Sequence, residues 1–551
     1  MLEELVYLFK TVPLPFIVID FPDIGTPQIE RNFEAFAYKN CTLSDIHSNV
    51  LFQSGFKFQE NPMLCHLLIG GRFNDDFLNK LNDFQKVCHF SSTNLIGSKD
   101  ELHFRMLELK ERLGHSIDFY PEAYYPPDDY EKLLEIWTTK PVWIIKAPAL
   151  SRARNIRLAI PSLEPAPKLP YVIEEYITPP YLITGRKFDI RIYAVVTSIE
   201  PLIFYYHKQG LVLFATHDYA KNFPNDASQI CEDDKEYLEI VNDLQMHLTN
   251  YEINKDSKSF VQCYELDEKI ENSKWSLPFL WKYFKSIGVD YKKIKRDIKD
   301  VATAAIIAGM CSLRNSHRKK IKLHRKSSFE LLGIDILLDS NLKPYLLEIN
   351  ISPGMVGSSQ LDIMIKEKVT LDTFHIVRVL QISPTNRNEY SRYIEYERQY
   401  KISKHFSEIN KNKKSYKANI DKSENNEIRN RIKNTLETII EPWENPAFAE
   451  YTIIREFIDE LSRKRDFHLA YPKKTNISKF EKHFDHYTYE DIVLNKWLMM
   501  DQHKRFDVLL TNFDLYHATM EKCYQAPDRV PNKTKHIESK DTITENNCLI
   551  E

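Results

Sequence analysis

Three charged residues alternate with apolar ones in the segment KFDIRI at 187–192. Because alternate side chains of a β-strand point to the same face, we expect Lys187, Asp189 and Arg191 to share one face. Charges of both signs on one face, backed by an apolar face, suit a site for polyphosphate. For this segment taken alone, an exposed antiparallel strand with a salt-bridged surface is the alternative.

A second group of polar side chains lies between Asp335 and Asn350. Glu348 and Asn350 are two residues apart on a predicted strand, and a hairpin turn at 339–341 brings Asp335 close to their level. Two carboxylates and an amide oxygen are hard ligands of the kind that Mg²⁺ prefers. The surrounding residues are mostly apolar, and carboxylates there are costly unless they are paired or bound to metal. The segment therefore predicts a magnesium site, with a solvent-facing hairpin as the alternative.

Two further segments carry residues suited to a nucleotide. Lys146 ends the apolar strand VWIIK before the basic loop SRAR at 151–154, so it can hold phosphate. That loop has none of the glycines that let backbone N–H groups approach phosphates, and a strand-end lysine in solvent is the alternative. The string HLTNY at 247–251 clusters hydroxyl and amide groups. A helix N-cap at Thr249 or Asn250 explains that string equally well.

The run HRKKIKLHRK at 317–326 is strongly basic. Such a run can attract an acidic peptide. A solvated loop and a nuclear-localisation signal are the alternatives.

Strand-like and helix-like segments together predict a mixed α/β (α+β) fold. Aromatic and β-branched residues punctuated by Pro and Gly predict strands between 141 and 213, and two apolar runs within 329–350 predict a hairpin. Helices are predicted in 100–113, 276–308 and 357–380. The chain is divided into an N-terminal α/β region at 1–85, a central region at 86–380, a charged helical linker at 381–430, a helical module at 431–525 and a disordered tail at 526–551.

The composition limits the classes of protein to which the chain can belong. Of the 551 residues, 43% are hydrophobic, which supplies enough apolar material for a sizeable core. The net charge of −3 indicates neither a nucleic acid nor a membrane surface as partner. Eight scattered cysteines without a C-x-x-C pair predict reduced thiols. Neither a signal peptide nor an apolar run of about 18 residues is recognisable, so we expect a cytosolic chain without a membrane span.

Taken in order, these segments resemble the tubulin–tyrosine-ligase-like family. The likeness covers roughly residues 50–380 and is carried by strings such as VWIIKAPALSRARNI, YVIEEYITPPYLITGRKFDIRIYAVVTS, HLTNYEINK and FELLGIDILLDSNLKPYLLEINISPGMVGSSQ. A looser likeness to the tubulin polyglutamylase branch includes EYTIIREFIDELSRKRDFHLAYP. The resemblance implies an ATP-grasp fold over 86–380, in which a nucleotide lies between two α/β lobes, and an added C-terminal helical module.

The same resemblance implies roles for individual residues. Lys146, Arg152, Lys187, Asp189, Thr249 and Asn250 would contact ATP, and Glu174, Glu175, Tyr176 and Ile177 would form the strand beside adenine. Arg191, with Lys187, would act on the reacting phosphate, and Lys99 matches a basic position near it. Asp335, Glu348 and Asn350 would hold Mg²⁺. Lys255, Lys366 and Tyr251 would meet the incoming glutamate.

The implied reaction is ATP-dependent ligation of glutamate to glutamate side chains in the acidic C-terminal tails of tubulin. A carboxylate is a poor electrophile, and phosphoryl transfer converts it into an acyl phosphate that an amine can attack. ATP and Mg²⁺ are the implied cofactors, and tubulin or microtubules and free L-glutamate are the partners. The family likeness places a monomer in the cytoplasm on the cytoskeleton, with a cilium or basal body left open.

Four departures from the family pattern keep other functions open. Ala147 replaces a proline, the loop at 152–156 lacks two glycines, and Glu174 replaces a glutamine. Leu213 stands where relatives carry an arginine for the amino-acid substrate, and a leucine cannot bind a carboxylate. One alternative is therefore a weak or inactive tubulin- or microtubule-binding protein. Another is a ligase that uses a different amino acid or acceptor.

Overall fold

The computed structural model describes residues 16–17, 34–41, 44–114, 117–148, 155–220, 223, 235–263, 268–380 and 448–511. Arg152, the predicted linker at 381–430 and the predicted tail at 526–551 lie outside these ranges. Within them, no helix has both the length and the apolar character that a membrane crossing requires.

A small parallel sheet forms the N-terminal part of the described chain. Its strands lie side by side in the order β3, β2, β4, β5, and all three pairings are parallel. The strands are β2 (Ala35–Lys39), β3 (Phe56–Phe58), β4 (Leu67–Ile69) and β5 (Lys86–Val87), with helices α1 (Asp45–Gln53) and α2 (Asp75–Leu78) and a 3₁₀ turn at Pro62–Leu64. A two-residue strand, β1 (Phe16–Ile17), pairs separately with β16 (Val379–Leu380).

A second sheet of four antiparallel strands follows. Its order is β6 (Ala123–Tyr124), β9 (Val172–Glu175), β7 (Trp143–Lys146) and β8 (Ile156–Ala159). The same part of the chain forms helices α3 (Asn94–Gly97), α4 (Lys99–Leu113) and α5 (Tyr130–Ile136) and a 3₁₀ turn at Trp137–Thr139. A separate apolar cluster that includes Trp137 and Trp143 packs against this sheet. The second sheet therefore has its own core and can form one wall of a cleft.

The largest sheet has seven antiparallel strands and contains both charged segments singled out in the sequence. Its main order is β13 (Lys274–Ser276), β12 (Leu202–Phe214), β11 (Arg186–Ile199), β14 (Glu330–Leu338) and β15 (Pro344–Asn350), while β10 (Leu182–Ile183) and β17 (Phe467–Tyr471) pair at its margins. Strand β11 is buried along almost its whole length: its first half alternates charged and apolar residues, and its second half is mostly apolar.

The described residues around these strands form six helices: α6 (Lys235–Asn242), α7 (Leu244–His247), α8 (Tyr251–Asn254), α9 (Leu277–Ser286), α10 (Tyr291–Lys320) and α11 (Gln360–Val377). Of these, α7, α9, α10 and α11 contact the largest sheet, whereas α6 contacts β8 of the second sheet. The predicted helical stretch at 276–308 is two helices. Gly288, at φ +77°, lies between them, and the Asp290 side chain accepts a hydrogen bond from Lys293 N at the start of α10.

Apolar residues of the C-terminal segment, 448–511, pack into the apolar core formed by the largest sheet and its helices. The segment contains α12 (Phe448–Ser462), β17, α13 (Ile477–Phe480), a 3₁₀ turn at Glu481–His483, α14 (Tyr489–Met499) and α15 (Gln502–Thr511). Strand β17 pairs with β12, so this segment is continuous with the largest sheet. Asp491 attaches the segment further, because its carboxylate accepts hydrogen bonds from Arg314 at 2.7 Å and from Leu202 N on β12 at 2.8 Å.

The basic run at 317–326 is split between two environments. Its first four residues end α10, and the His317 ring accepts a hydrogen bond from Ser91 N at 3.1 Å. Farther along, Arg325 pairs with Glu456 at 2.9 Å and Lys326 with Glu460 at 2.8 Å, both on α12. Part of the run therefore fastens the C-terminal segment to the rest of the chain.

Candidate functional site

A cleft between the second sheet and the largest sheet brings the charged segments together. Lys187, Asp189 and Arg191 all line it from β11, as the alternation of that strand predicts, and Asp335 and Glu348 line it from the next two strands. Register explains this grouping: Arg191 is opposite Asp335, and Asp335 is opposite Glu348. Residues more than 140 positions apart in sequence thus form one row across three strands.

Arg191 and Asp335 form a two-point ion pair. The Arg191 Nη2 atom donates to Asp335 Oδ2 at 2.6 Å, and Arg191 Nε donates to the other carboxylate oxygen. Burial opposes the charge on Arg191, but the Asp335 carboxylate outweighs it and raises the pKa of Arg191. Gly333 leaves room for this arrangement, since a Cβ there would lie 3.0 Å from Arg191 Cδ. The guanidinium is therefore held rigidly and always charged.

The three predicted metal ligands are in mutual contact. Asn350 Nδ2 donates to Glu348 Oε1 at 2.9 Å and to Asp335 Oδ2 at 3.3 Å. Burial raises the pKa of Asp335 to about 7, and the neighbouring carboxylate of Glu348 adds to the rise. Burial acts in the same direction on Glu348, but Lys99 and Asn350 overcome it and lower the pKa of Glu348 to about 2. Two carboxylates and an amide gathered in this way fit a divalent cation, to which Asn350 would turn its amide oxygen in place of the Nδ2 donor.

Another group of potential ligand atoms has a different explanation. His207, Asp372 and Asp466 bring their ligand atoms within 4.8 Å of one another. The Asp372 carboxylate is already engaged, by Lys368 at 3.1 Å and by Arg465 at 3.6 Å. His207 Nδ1 accepts from Gln209 N, which leaves its Nε2 hydrogen directed at Asp372. We assign this group as a buried ion network that joins β12, α11 and the C-terminal segment.

Lys187 and Asp189 occupy the floor of the cleft. Lys187 Nζ donates to His247 O at 2.9 Å and lies 4.7 Å from the centre of the Tyr176 ring. Burial lowers the pKa of Lys187 to about 8, whereas burial raises the pKa of Asp189. Asp189 Oδ2 accepts from Thr249 Oγ1 at 2.5 Å, and its Oδ1 is buried with no hydrogen-bond donor among the described residues. The floor thus offers a carboxylate oxygen of Asp189 as an acceptor. It also offers Lys187, whose pKa burial has brought close to neutral pH.

The HLTNY string both begins a helix and contributes to the lining of the cleft. Asn250 is the N-cap of α8, but its side chain makes no capping bond, and both Thr249 and Asn250 line the cleft. Sequence reasoning gave no role to His247. Its Nδ1 accepts from the Tyr176 hydroxyl at 2.7 Å, and its Nε2 donates to Ile240 O at 2.9 Å. Burial lowers the pKa of His247 to about 4, so the ring is neutral and orients Tyr176.

The wall formed by the second sheet carries Lys146 and residues 174–177, all of which line the cleft. Lys146 Nζ lies 2.5 Å from Glu174 Oε2, so these two residues neutralise each other. Glu175 pairs with Lys140 at 2.5 Å. Apolar side chains complete the lining of the cleft from both sheets, and sequence reasoning could not separate them from core residues: Ile144, Ile156, Leu248, Leu337 and Leu347.

The remaining predicted residues lie outside this lining. Lys255 is exposed and pairs with Glu252 at 2.5 Å. Lys366 is buried on α11, where its Nζ donates to Val356 O at 2.7 Å. The Tyr251 ring lies under the ammonium group of Lys274, 4.3 Å from ring centre to Nζ. Lys99, placed only by the resemblance, does line the cleft and lies 3.6 Å from Glu348.

The fold and the site define an α/β protein whose charged cleft gathers lysines, an arginine and carboxylates between two sheets. The chain belongs to the tubulin-tyrosine ligase family, whose model matches residues 77–389.

Three relatives illustrate the similarity. The mouse tubulin monoglutamylase TTLL4 is 32% identical over 326 residues, which are 56% of this chain and 26% of the relative. The human tubulin polyglutamylase TTLL5 is 30% identical over 320 residues, 58% of this chain and 24% of the relative. The Caenorhabditis elegans tubulin polyglutamylase ttll-4 is 31% identical over 430 residues, 77% of this chain and 65% of the relative. This chain therefore spans only about a quarter of the length of the two mammalian relatives.

Proposed function

We propose that this protein is an ATP- and Mg²⁺-dependent ligase of ATP-grasp fold that adds glutamate to glutamate side chains of tubulin C-terminal tails. The observation that carries the proposal is the row Arg191–Asp335–Glu348 in one cleft with Lys187 and Asp189. The printed names of the relatives, tubulin mono- and polyglutamylases, support this substrate. We also propose, as the family resemblance implies, that the protein is a monomer on the cytoskeleton and binds neither nucleic acid nor membrane.

Different residues of the cleft would bind different parts of ATP. The segment 174–177 and the apolar wall would receive the adenine, and Lys146, Lys187, Thr249 and Asn250 would meet the ribose and phosphates. Asp335, Glu348 and Asn350 would hold Mg²⁺, which neutralises charge on the transferring phosphoryl group. Mutual neutralisation of Lys146 and Glu174, at 2.5 Å, means that ATP phosphates compete with a carboxylate for the lysine.

The chemistry proceeds in two steps. The γ-phosphoryl group passes to a side-chain carboxylate of the tubulin tail and leaves ADP. The amine of free glutamate then attacks the acyl carbon, inorganic phosphate departs, and the amine loses a proton as the amide forms. Arg191 is fixed by two contacts with Asp335, so it can stabilise charge on the transferring group without reorganising.

A second candidate function is favoured by one observation. Leu213 lines the cleft at the position where the family resemblance leads us to expect a substrate-binding arginine, and a microtubule-binding protein without catalytic activity needs no such cation. The two candidates separate in one assay, incorporation of labelled glutamate into purified tubulin with Mg·ATP. We expect incorporation by the wild type and none by Glu348→Gln. Microtubule binding without incorporation by the wild type would favour the second candidate.

A further inference from the structure

We propose that Lys274 supplies the cation that holds a carboxylate of the incoming amino acid, in the place where Leu213 supplies none. This inference rests on the proposed ligase function and assigns one of its specificity-determining residues. The expectation drawn from the sequence had Lys255, Lys366 and Tyr251 meet the glutamate; this inference replaces Lys255 by Lys274 and keeps Lys366 beside it.

Strand register places Lys274 on the cleft side of the largest sheet. Asp189 is opposite Leu213, and Leu213 is opposite Lys274, across the three adjacent strands β11, β12 and β13. Residues directly opposite each other in antiparallel strands share a face, and neighbouring strands lie about 4.8 Å apart. Lys274 is therefore two strands from Asp189, roughly 10 Å away between backbones, on the face that carries the charged cleft.

The surroundings of Lys274 contain more positive than negative charge. Lys274 Nζ lies 2.7 Å from Asp362 Oδ2 and 2.7 Å from Ser358 Oγ, and Lys366 Nζ lies 3.6 Å from the other oxygen of Asp362. Two lysines that are 8% and 7% exposed thus share one carboxylate. A buried cation without a full partner is costly. The pair is consequently suited to receive a second carboxylate.

Two neighbouring groups strengthen the case for an anion at this place. Burial lowers the pKa of Lys366 to about 8, and the positive charges of Lys274 and Arg191 act on it in the same direction, so the three cations are close enough to repel one another. Tyr193 follows Arg191 by two residues on the same strand. Its hydroxyl is buried beside the Arg191 guanidinium, which can only donate, so the hydroxyl hydrogen remains available to a carboxylate oxygen.

Lys255 is a weaker choice for this role. Its side chain is 37% exposed, and it forms an i,i+3 pair with Glu252. Water and the nearby carboxylate weaken the attraction of such a lysine for a further anion. Lys274, by contrast, is buried and lies over the Tyr251 ring, which keeps its ammonium group in place.

The first test compares steady-state kinetics of Lys274→Met, Lys274→Arg and the control Lys282→Met, a lysine exposed on α9. We expect Lys274→Met to raise the KM for glutamate by about tenfold to a hundredfold, the usual effect of losing a hydrogen bond to a charged group. The Kd of Mg·ATP should stay unchanged, and Lys274→Arg should recover part of the loss. The double variant Leu213→Arg/Lys274→Met should also lower the KM again, because it returns a cation to the same row.

The second test leaves the lysine in place. In Leu213→Glu, a carboxylate stands directly opposite Lys274 and competes with the substrate, so the KM for glutamate should rise well above that of Leu213→Gln, the uncharged variant of the same shape. This variant answers the question even if Lys274→Met fails to fold. An unchanged glutamate KM in Leu213→Glu, or in a folded Lys274→Met, would overturn the assignment. A wild-type protein that binds Mg·ATP but incorporates no glutamate would instead refute the ligase function itself.

Discussion

The ammonium group of Lys146 lies 2.5 Å from the carboxylate of Glu174, and both side chains are buried in the wall of the cleft. The sequence suggested separate tasks for them, phosphate for the lysine and adenine for the glutamate. In the structure each is the other's partner. Binding of ATP at this wall therefore rearranges an existing ion pair, because a phosphate oxygen must displace or share the Glu174 carboxylate.

The first prediction concerns Glu174→Gln. The amide keeps a hydrogen-bond acceptor for Lys146 but leaves its charge uncompensated, so the free protein should lose up to about 3 kcal/mol of stability. Phosphates would then supply the missing negative charge, and Mg·ATP should raise the melting temperature of the variant more than that of the wild type. Thermal unfolding with and without Mg·ATP measures both effects.

Glu175→Gln is the matched control for this experiment, because Glu175 pairs with the partly exposed Lys140 instead. Its response to Mg·ATP should not exceed that of the wild type, because the lysine that it leaves without a charge partner is not among the residues that line the cleft. Equal responses of the wild type and Glu174→Gln would show that Lys146 does not meet the phosphates.

The second prediction follows from the titration of Lys187. Burial lowers its pKa to about 8, and bound phosphates would raise it again toward that of an ordinary lysine, near 10.4. Between these values the free protein holds fewer protons at Lys187 than the complex does, so ATP binding takes up protons and weakens as pH rises above 8. At pH 8.5 roughly three quarters of the free lysine is neutral.

Isothermal titration calorimetry at pH 8.5, in two buffers of different ionisation enthalpy, measures this uptake. We expect more than half a proton per ATP for the wild type and a clearly smaller value for Lys187→Arg, which stays charged throughout. Identical uptake by both proteins would place the titrating group elsewhere.

The third prediction concerns the shape of the Arg191 contact. Lysine cannot reproduce the two parallel bonds to Asp335, so Arg191→Lys should leave the cation misplaced while keeping its charge. We expect kcat to fall about a hundredfold to a thousandfold, as when one donor to a transition-state charge is removed. The Kd of Mg·ATP should change little.

Single-turnover glutamate incorporation and a fluorescent nucleotide titration separate the two quantities. Arg186→Lys is the control, since Arg186 lies on the same strand but stacks 4.9 Å from the Phe214 ring and donates to Ile270 O at 3.1 Å. If Arg191→Lys retained wild-type kcat, the guanidinium would have only a structural role.

The face on which the charges lie could be predicted from the sequence, but their partners could not. Alternation within β11 placed Lys187, Asp189 and Arg191 together, and the apolar runs predicted the hairpin formed by β14 and β15. The pairing of Arg191 with Asp335 depends on which strands are neighbours, which is a non-local property. An irregularity in the strand register directly after Asp335 also determines that Asp335 lies opposite Glu348. No local sequence pattern predicted this irregularity.

The substitution at Leu213 shows the same limit. Comparison with the family pattern revealed that a cation was missing, but the sequence did not show which residue stands beside the gap. Lys274 is 61 residues away in the chain and becomes a neighbour only because β13 pairs with β12. The apolar wall of the cleft was missed for a different reason, since an apolar strand residue has the same sequence signature in a core and in a ligand pocket.

The last prediction tests how firmly the C-terminal segment is joined to the sheet. Asp491 and Arg314 form an ion pair at 2.7 Å with side chains 2% and 1% exposed, and Asp491 also accepts from Leu202 N on β12. Asp491→Asn leaves a buried guanidinium without its charge partner, which should lower the free energy of unfolding by about 3–5 kcal/mol. The double variant Asp491→Asn/Arg314→Met should be less destabilised than the sum of the two single variants, because it removes the stranded charge. Urea unfolding followed by tryptophan fluorescence and by circular dichroism measures these differences.

Since β17 is itself a strand of the largest sheet, we expect both signals to change in one transition, and an early transition confined to residues 448–511 would contradict this coupling.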